Sequence, residues 1–511
     1  MIYRIAPALV ALCLMLTLCT PAVAVDLSSN VDLDISGYYR VRYDNIFGTG
    51  WYFAEDSDWW SYMDQRLKLD PSLSVGDNIS LHMQLDCLRN VLLGQNLVER
   101  EPIIDVMRDP DDSSVIDSFD LGEYELAQGG VMSSDTSYTT RSGDEVPSVL
   151  LSRAWGQVTT PLGQLRIGRQ GSHYGLGIFS NDGNGLDSDN GDTYDRFMWL
   201  LKVGPALPAL GYDRLAESDF KSGTNDVHQF FALFNWLDRP FTGGLYLAHR
   251  NQDSTNARIF IYDAWAKVMF SRMTIEAEGV LFNGSMTQIP HSVVSELEEQ
   301  GLPVGEGGGK IELSAYIAAL EAHWDDDFWG AGIYSGFSSP RDSDPLREWD
   351  ADAAANLAEA KAIYDADPDD PDNKIDFISS VVANQAAFGK KVYTYPFDAD
   401  YNVDMILWEE IFGQVQNGMY AKAGGYLQLA DLRFSLFGLY SWINESGKGR
   451  DGSDASHELG FELNYETSYT LYDHFTASLL FGGFWPGQYF YDSYEDVENL
   501  FTIQSNFVFH F

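Results

Sequence analysis

The feature that most constrains this chain is a repeat of segments about ten residues long in which every second side chain is apolar. In "ISGYYRVRYDN", Ile35, Tyr39, Val41 and Tyr43 fall on one face, and Ser36, Tyr38, Arg40, Arg42 and Asp44 on the other. "RLKLDPSLSV" sets Leu67, Leu69, Pro71, Leu73 and Val75 against Arg66, Lys68, Asp70, Ser72 and Ser74. The last residues, "FTIQSNFVFHF", follow the same rule up to a terminal aromatic: Phe501, Ile503, Phe507, Phe509 and Phe511 share a face. A soluble antiparallel sheet alternates in this way too. What separates the two is the connections. Short turns at 76–78, 160–163, 237–240, 271–272, 325–327, 430–431 and near Asp473 alternate with long polar stretches, the largest near 93–148, 171–193, 284–310 and 339–417. Long loops at one end and tight turns at the other are the plan of a transmembrane barrel with extracellular loops and periplasmic turns.

Outside the extreme N-terminus there is no apolar run long enough for a spanning helix. Only helices or closed barrels satisfy the backbone in lipid. The expectation is therefore an all-β, transmembrane antiparallel β-barrel of about eighteen strands. The strand near 164–170 and the stretch 204–227 are weakly patterned. Aromatics make up 14% of the 511 residues. Trp51, Trp59, Trp60, Trp236, Trp324, Trp329, Trp442 and Trp485 lie near strand ends, where interfacial girdles belong. The paired apolar face and the aromatic end at Phe507, Phe509 and Phe511 resemble the signal read by barrel-assembly machinery.

Residues 1–24 read as a signal peptide: Arg4, an apolar middle, and a small-residue site at Ala22–Ala24. Residues 25–511 then form the barrel, in the outer membrane of a Gram-negative-type bacterium, in contact with lipid and lipopolysaccharide. Two of the three cysteines leave with the leader, and Cys87 alone provides no internal disulfide. A net charge of −44 argues against nucleic-acid binding.

Catalytic patterns are absent from the sequence: no GxSxG, HExxH, P-loop or CxxC, and His173, His249 and His323 are scattered. The chain is read as a channel and not as an enzyme. Because charge on the lipid face costs roughly 2–4 kcal/mol at mid-membrane, strand charges are assigned to the lumen. The basic candidates are Arg40, Arg42, Arg66, Lys68, Arg153, Arg166, Arg196, Lys202, Lys422 and Arg433. Acidic candidates include Asp44, Asp64, Asp86, Glu276, Glu278, Glu312, Glu458, Glu462 and Glu466. Two readings stand side by side. A basic wall concentrates anions, or the charges pair across strands and only hold the wall together. The loop "NDGNGLDSDNGD" offers hard oxygen ligands in Asp182, Asn184, Asp187, Asp189, Asn190 and Asp192. Calcium would suit them, although the spacing is not that of an EF-hand and such a string is also an ordinary turn-rich loop. No cofactor is required. "EWDADAAANLAEAKAIYDA", within 339–417, is helix-prone and is expected to cap or plug the pore.

Three stretches carry a resemblance. "AWGQVTTPLGQLRIGRQGSHYGLG", with Gly168, Arg169, Gln170, Tyr174 and Gly175, resembles a hairpin of the alginate-export family of outer-membrane β-barrel porins. "RVRYDN" and "DQRLKLDPSLSVGDNISLHMQLD", with Arg40, Arg42 and Arg66, resemble that family's opening strands. "HELGFELNYETSYTLYDHFTASLLFGGFWPG", with Glu458, Tyr465, Phe484, Pro486 and Gly487, resembles its closing hairpin. The resemblance implies an eighteen-stranded monomeric barrel that passes a polyuronate through a basic, constricted lumen, and the chain is read as a channel of that type for an anionic saccharide or small anions. Arg169 would sit at that constriction, turned inward by a bulge, with loop 171–193 folded beside it. The alternative is a general or neutral-solute porin with structural lumen charges. A barrel enzyme or adhesin using its long loops is the third reading.

Overall fold

Period-two sequences bury one face of a strand and leave the other for a second solvent, and here that solvent differs on the two sides of a single closed sheet. The computed structural model describes residues 31–51, 58–92, 149–216, 226–253, 255–287, 310–340, 391–392 and 394–511. The expected signal peptide at 1–24, residues 93–148, most of 284–310 and most of 339–417, including the helix-prone stretch, lie outside the described residues.

The strands are β1 (Val31–Phe47), β2 (Trp59–Val75), β3 (Ile79–Leu92), β4 (Val149–Thr160), β5 (Gly163–Gly171), β6 (Thr193–Leu200), β7 (Ala206–Ala216), β8 (Val227–Asp238), β9 (Phe241–Gln252), β10 (Ala257–Phe270), β11 (Met273–Thr287), β12 (Lys310–Asp325), β13 (Trp329–Ser338), β14 (Lys391–Val392), β15 (Gly418–Leu429), β16 (Leu432–Ile443), β17 (Glu458–Leu471), β18 (Phe475–Pro486) and β19 (Leu500–His510). All belong to one 19-stranded sheet. The two-residue β14 is an accessory that pairs parallel to β12. Without it, eighteen strands pair antiparallel in chain order, and β13 passes directly to β15. β1 closes on β19, from Tyr38 opposite His510 to Phe47 opposite Phe501. Gly37 and Phe511 exchange backbone hydrogen bonds of 3.0 and 3.1 Å, so the terminal aromatic residue completes the seam.

Connections 76–78, 161–162, 201–205, 239–240, 271–272, 326–328, 430–431 and 472–474 all fall on one rim, with both chain ends of the barrel. This is the short-turn rim. The weakly patterned stretches are β5 and β7, and the turn between β6 and β7 is the one short connection the sequence does not announce.

Outward positions are apolar around the circumference. Leu33, Ile35, Leu151, Leu210, Phe230, Leu281, Ile333, Leu436 and Phe509 are all exposed. A continuous exposed belt of this kind has no place on a water-soluble surface, and a closed barrel leaves no strand edge. Trp59, Trp236, Trp324, Trp329 and Trp485 also face outward near strand ends. Trp51 does not join that girdle. It packs against Phe490 and Tyr494, with ring centroids 5.3 and 5.5 Å away, beside the short helix α1 (Gln488–Ser493).

Inward positions are polar or tightly packed. Arg40, Arg66, Lys68, Asp86, Asp213, Arg250 and Glu462 are almost fully buried. Burial inside a barrel wall requires something to fill the lumen, and two segments do so: 172–192, between β5 and β6, and 394–417, between β14 and β15. They carry a hydrophobic core of their own, with Ile178, Phe179, Tyr395, Phe397, Ile406, Leu407 and Trp408 packed together with wall residues such as Phe282, Leu439 and Phe484. A closed antiparallel barrel with an apolar outer belt and a charged interior is the architecture of an outer-membrane β-barrel.

Candidate functional site: a charge-paired lumen

Alternation along β1 and β2 places Arg40, Arg42, Arg66 and Lys68 on the lumenal face, and the first inward segment meets all four. Asp189 accepts from Arg40 at 2.6 Å and from Arg42 at 2.8 Å. Arg42 also pairs with Asp64 at 3.0 Å. Arg66 pairs with Asp86 at 2.7 Å and donates to the Ser188 carbonyl at 2.7 Å. Lys68 donates to Asn184 Oδ1 at 2.6 Å. Arg153, on β4, donates to the same oxygen at 3.2 Å and to the Asp182 carbonyl. Arg196, on β6, forms a forked pair with Asp213 at 2.7 and 2.9 Å. The expected basic wall exists, but its cations are spent on carboxylates and loop carbonyls. Burial alone would raise the Asp189 carboxyl, yet the Arg42 and Arg40 guanidinium groups hold it well below the usual carboxylate range.

The opposite walls use carboxylates to hold the backbone. Glu278, on β11, accepts from the Leu176 and Gly177 amides. Gly175 makes this approach feasible: its φ is +60°, and a Cβ there would run into the Glu278 carboxylate. Glu462, on β17, accepts from Met405, Ile406 and Leu407 N–H at 2.8, 3.1 and 2.9 Å. These amides open a one-turn π-helix, Leu407–Ile411. Its buried Trp408 donates to Ser441 at 3.1 Å. The two segments are also tied to each other. Asp400 accepts from the Asp189 and Asn190 amides at 2.9 and 3.0 Å, and Asp398 from Asn181 N–H at 3.2 Å.

Several expectations need correction. Arg169 is not at a constriction. The ladders of β5 with β4 and β6 run without a bulge, so strict alternation holds and Arg169 faces outward. It pairs with Asp195, directly across on β6, at 2.8 Å, and both side chains are about half exposed (54% and 49%). The pair sits at the long-connection end of its strands, where charge on the outer face costs only about 0–1 kcal/mol. Loop 171–193 does fold inward, but without Arg169. Lys202 lies exposed in the 201–205 turn on the short-turn rim. Glu312 and Glu458 face outward as well. A register shift at Ser441/Trp442, opposite Gly460 with its φ of +122°, puts Glu458 on the side of Phe461 and turns Leu459 fully inward.

The oxygen-rich loop does not gather its ligands. Asp182 accepts from Asn184, Asn184 from Lys68 and Arg153, Asp187 from Asn506, Asp189 from the two arginines, and Asp192 from Tyr194. Among the described residues no group of three or more His, Cys, Asp or Glu side chains converges as a metal site. Lys68, Arg153, Arg166, Lys422 and Arg433 keep lumenal positions and form no ion pair among the described residues, and of these Arg166 and Arg433 make no hydrogen bond to the inward segments. Arg166 donates to Gln164 at 2.9 Å, and Arg433 stacks 3.8 Å over the Tyr426 ring. The role of 394–417 escaped the sequence reading, which placed the plug upstream. The cluster of Asp398, Asp400 and Asp404 among buried aromatics was the available signal.

No protein-family model matches the chain, and no curated protein matches it. Among solved structures it is similar to Pseudomonas aeruginosa OccK9 (OpdG), at 10% identity over 94% of this chain and 98% of that one, with a TM-score of 0.48. It is similar to a BenF-like porin from Pseudomonas fluorescens Pf-5, at 7% identity over 94% and 98%, with a TM-score of 0.48. Acinetobacter baumannii OccAB4 aligns at 8% identity over 94% and 98%, with a TM-score of 0.46.

Proposed function

We propose that this protein is a passive outer-membrane channel for small hydrophilic solutes, with a lumen narrowed by two built-in segments and wall charges that are mainly structural. The supporting observation is that Asp189 and Asp64 together neutralise Arg40 and Arg42, while Asp400 holds the Asp189 backbone. A ladder that attracts anions needs cations facing water, whereas these are buried and paired, which supports the neutral-solute reading over export of a polyuronate. Arg166 and Arg433 favour the second reading, a channel for an anionic saccharide or small anions of the alginate-export type, because neither forms an ion pair among the described residues.

Single-channel recording of the refolded protein in a planar bilayer under a salt gradient separates the two. Ohmic steps with weak selectivity are expected. A reversal potential close to the anion limit would favour the second reading, and the absence of any steps would remove the channel itself.

A further inference from the structure

Between the second inward segment and the short-turn rim, β13 presents an unusual inner face: Gly330, Gly332, Tyr334 and Gly336. The glycines leave room for rings to lie flat on the wall. A Cβ on Gly332 would come within 2.6 Å of the Tyr334 hydroxyl, and one on Gly330 within 2.7 Å of Tyr426 Cζ. Higher up, the same floor continues beneath Gly336, where Tyr420 lies against it and is covered by Phe397 and Tyr401 of the inward segment. Lower down Tyr334 is only partly buried. There the wall opens into a cavity of about 200 Å³, lined by Tyr334, Tyr426 and Phe437 together with Glu321, His323, Asp325 and Arg433.

The polar groups around this aromatic floor mix donors and acceptors. Arg433, fixed over Tyr426, makes no hydrogen bond among the described residues, so its planar fork of donors is available. Asp325 accepts from Tyr426 at 2.9 Å and lies 3.3 Å from His323. Glu321 accepts from Tyr401 at 2.7 Å through one oxygen. Lys422 Nζ lies over the Tyr334 and Phe437 rings, 5.7 and 5.1 Å from their centroids, and donates to the Val403 carbonyl at 2.7 Å. The lining thus sets one arginine against two carboxylates, so it does not draw anions. Flat apolar faces ringed by alternating donors and acceptors match a molecule with an apolar C–H face and an equator of hydroxyls.

We propose that this cavity docks a neutral saccharide, one sugar ring at a time, with Tyr334 and Phe437, set edge to face 69° apart, packing against its C–H groups and Arg433, Asp325 and Glu321 bonding its hydroxyls. The proposal rests on the channel reading and is tested separately from it. Maltohexaose and an oligogalacturonate are added to bilayers holding the protein, and maltohexaose binding to the detergent-solubilised protein is followed by calorimetry. Maltohexaose is expected to block the current transiently, more strongly from the short-turn side, and to bind in calorimetry. Tyr334→Ala and Arg433→Ala are each expected to weaken both readouts at least tenfold, and Arg433→Lys less. Heat-modifiable gel migration identifies which variants are folded. Ohmic steps without block or calorimetric binding would overturn the site and leave the channel standing. Block by the uronate alone would overturn the neutral assignment, as would maltohexaose binding indifferent to all three substitutions. Calorimetric binding that depends on Arg433, in a protein without conductance, would support the site and remove the channel.

Discussion

Arg40 and Arg42 lie two apart on one strand and converge on a single carboxylate, Asp189, from a loop far away in sequence. Removing one partner of a buried charge pair typically costs about 3–5 kcal/mol, because the other is left uncompensated. Asp189→Asn is therefore expected to lower thermal stability by an amount in that range, measured against the wild type by loss of heat-resistant migration. The sign with pH follows from the depressed native pKa of Asp189. Its contribution is complete above the unfolded aspartate value of about 3.9 and is lost as pH falls through the lower folded value. Stability owed to this group should thus be flat from neutral pH to about 4 and fall only in stronger acid, and a loss already present near pH 6 would contradict the pairing. Arg169→Ala is expected to cost less than about 1 kcal/mol, as an exposed pair does, and to leave the reversal potential unchanged. The sequence showed the lumenal side of Arg40 and Arg66 because period two is a local property. It could not show their partners, since nothing local to Asp189 encodes where its loop goes. Glu458 differs from its expected side for the same reason in reverse: one bulge beside Gly460 inverts every face on its far side.

At the scale of elements, the strands were legible and the inward segments were not. Lipid outside and water or charge inside impose alternation on β1, β2, β17 and β19. Segment 394–417 meets protein on most sides and has no period to find. Its fastening is part polar and part apolar. Glu462→Ala would orphan three buried N–H groups, each worth about 1–3 kcal/mol when unsatisfied. Burial of Trp408, Leu407 and Ile406 adds roughly 1.5–3 kcal/mol per side chain. Phe397, Val403, Ile411 and Val415 of the segment are buried as well, which makes the apolar part the larger, so Glu462→Ala alone should loosen the segment without expelling it. The expected reading is greater open-channel noise at nearly unchanged mean conductance. A full jump to a larger conductance state would mean that the carboxylate is the principal anchor.

For the whole molecule, the seam between β1 and β19 runs from Phe47 opposite Phe501 through to Phe511. Phe511 pairs with Gly37 across the seam and faces outward with Phe507 and Phe509. Deleting Phe511 is expected to lower the yield of heat-modifiable barrel severalfold in cells, with a smaller effect on refolding into detergent, if the terminal aromatics are also the assembly signal. The charge of −44 is spread unevenly: within the barrel much of the acid is matched by arginine or used to hold backbone, as with Asp86, Asp189, Asp213, Glu278 and Glu462. The architecture is thus a barrel that carries its own filling, and the central claim is that this filling sets the width of the passage. The direct measurement is polymer exclusion: single-channel conductance with polyethylene glycols of graded size, in the wild type and in a variant whose residues 174–190 are replaced by a short Gly-Ser linker. The account predicts a narrow wild-type cutoff and, in the folded variant, larger conductance with entry of larger polymers. The same cutoff and conductance in both proteins would contradict it.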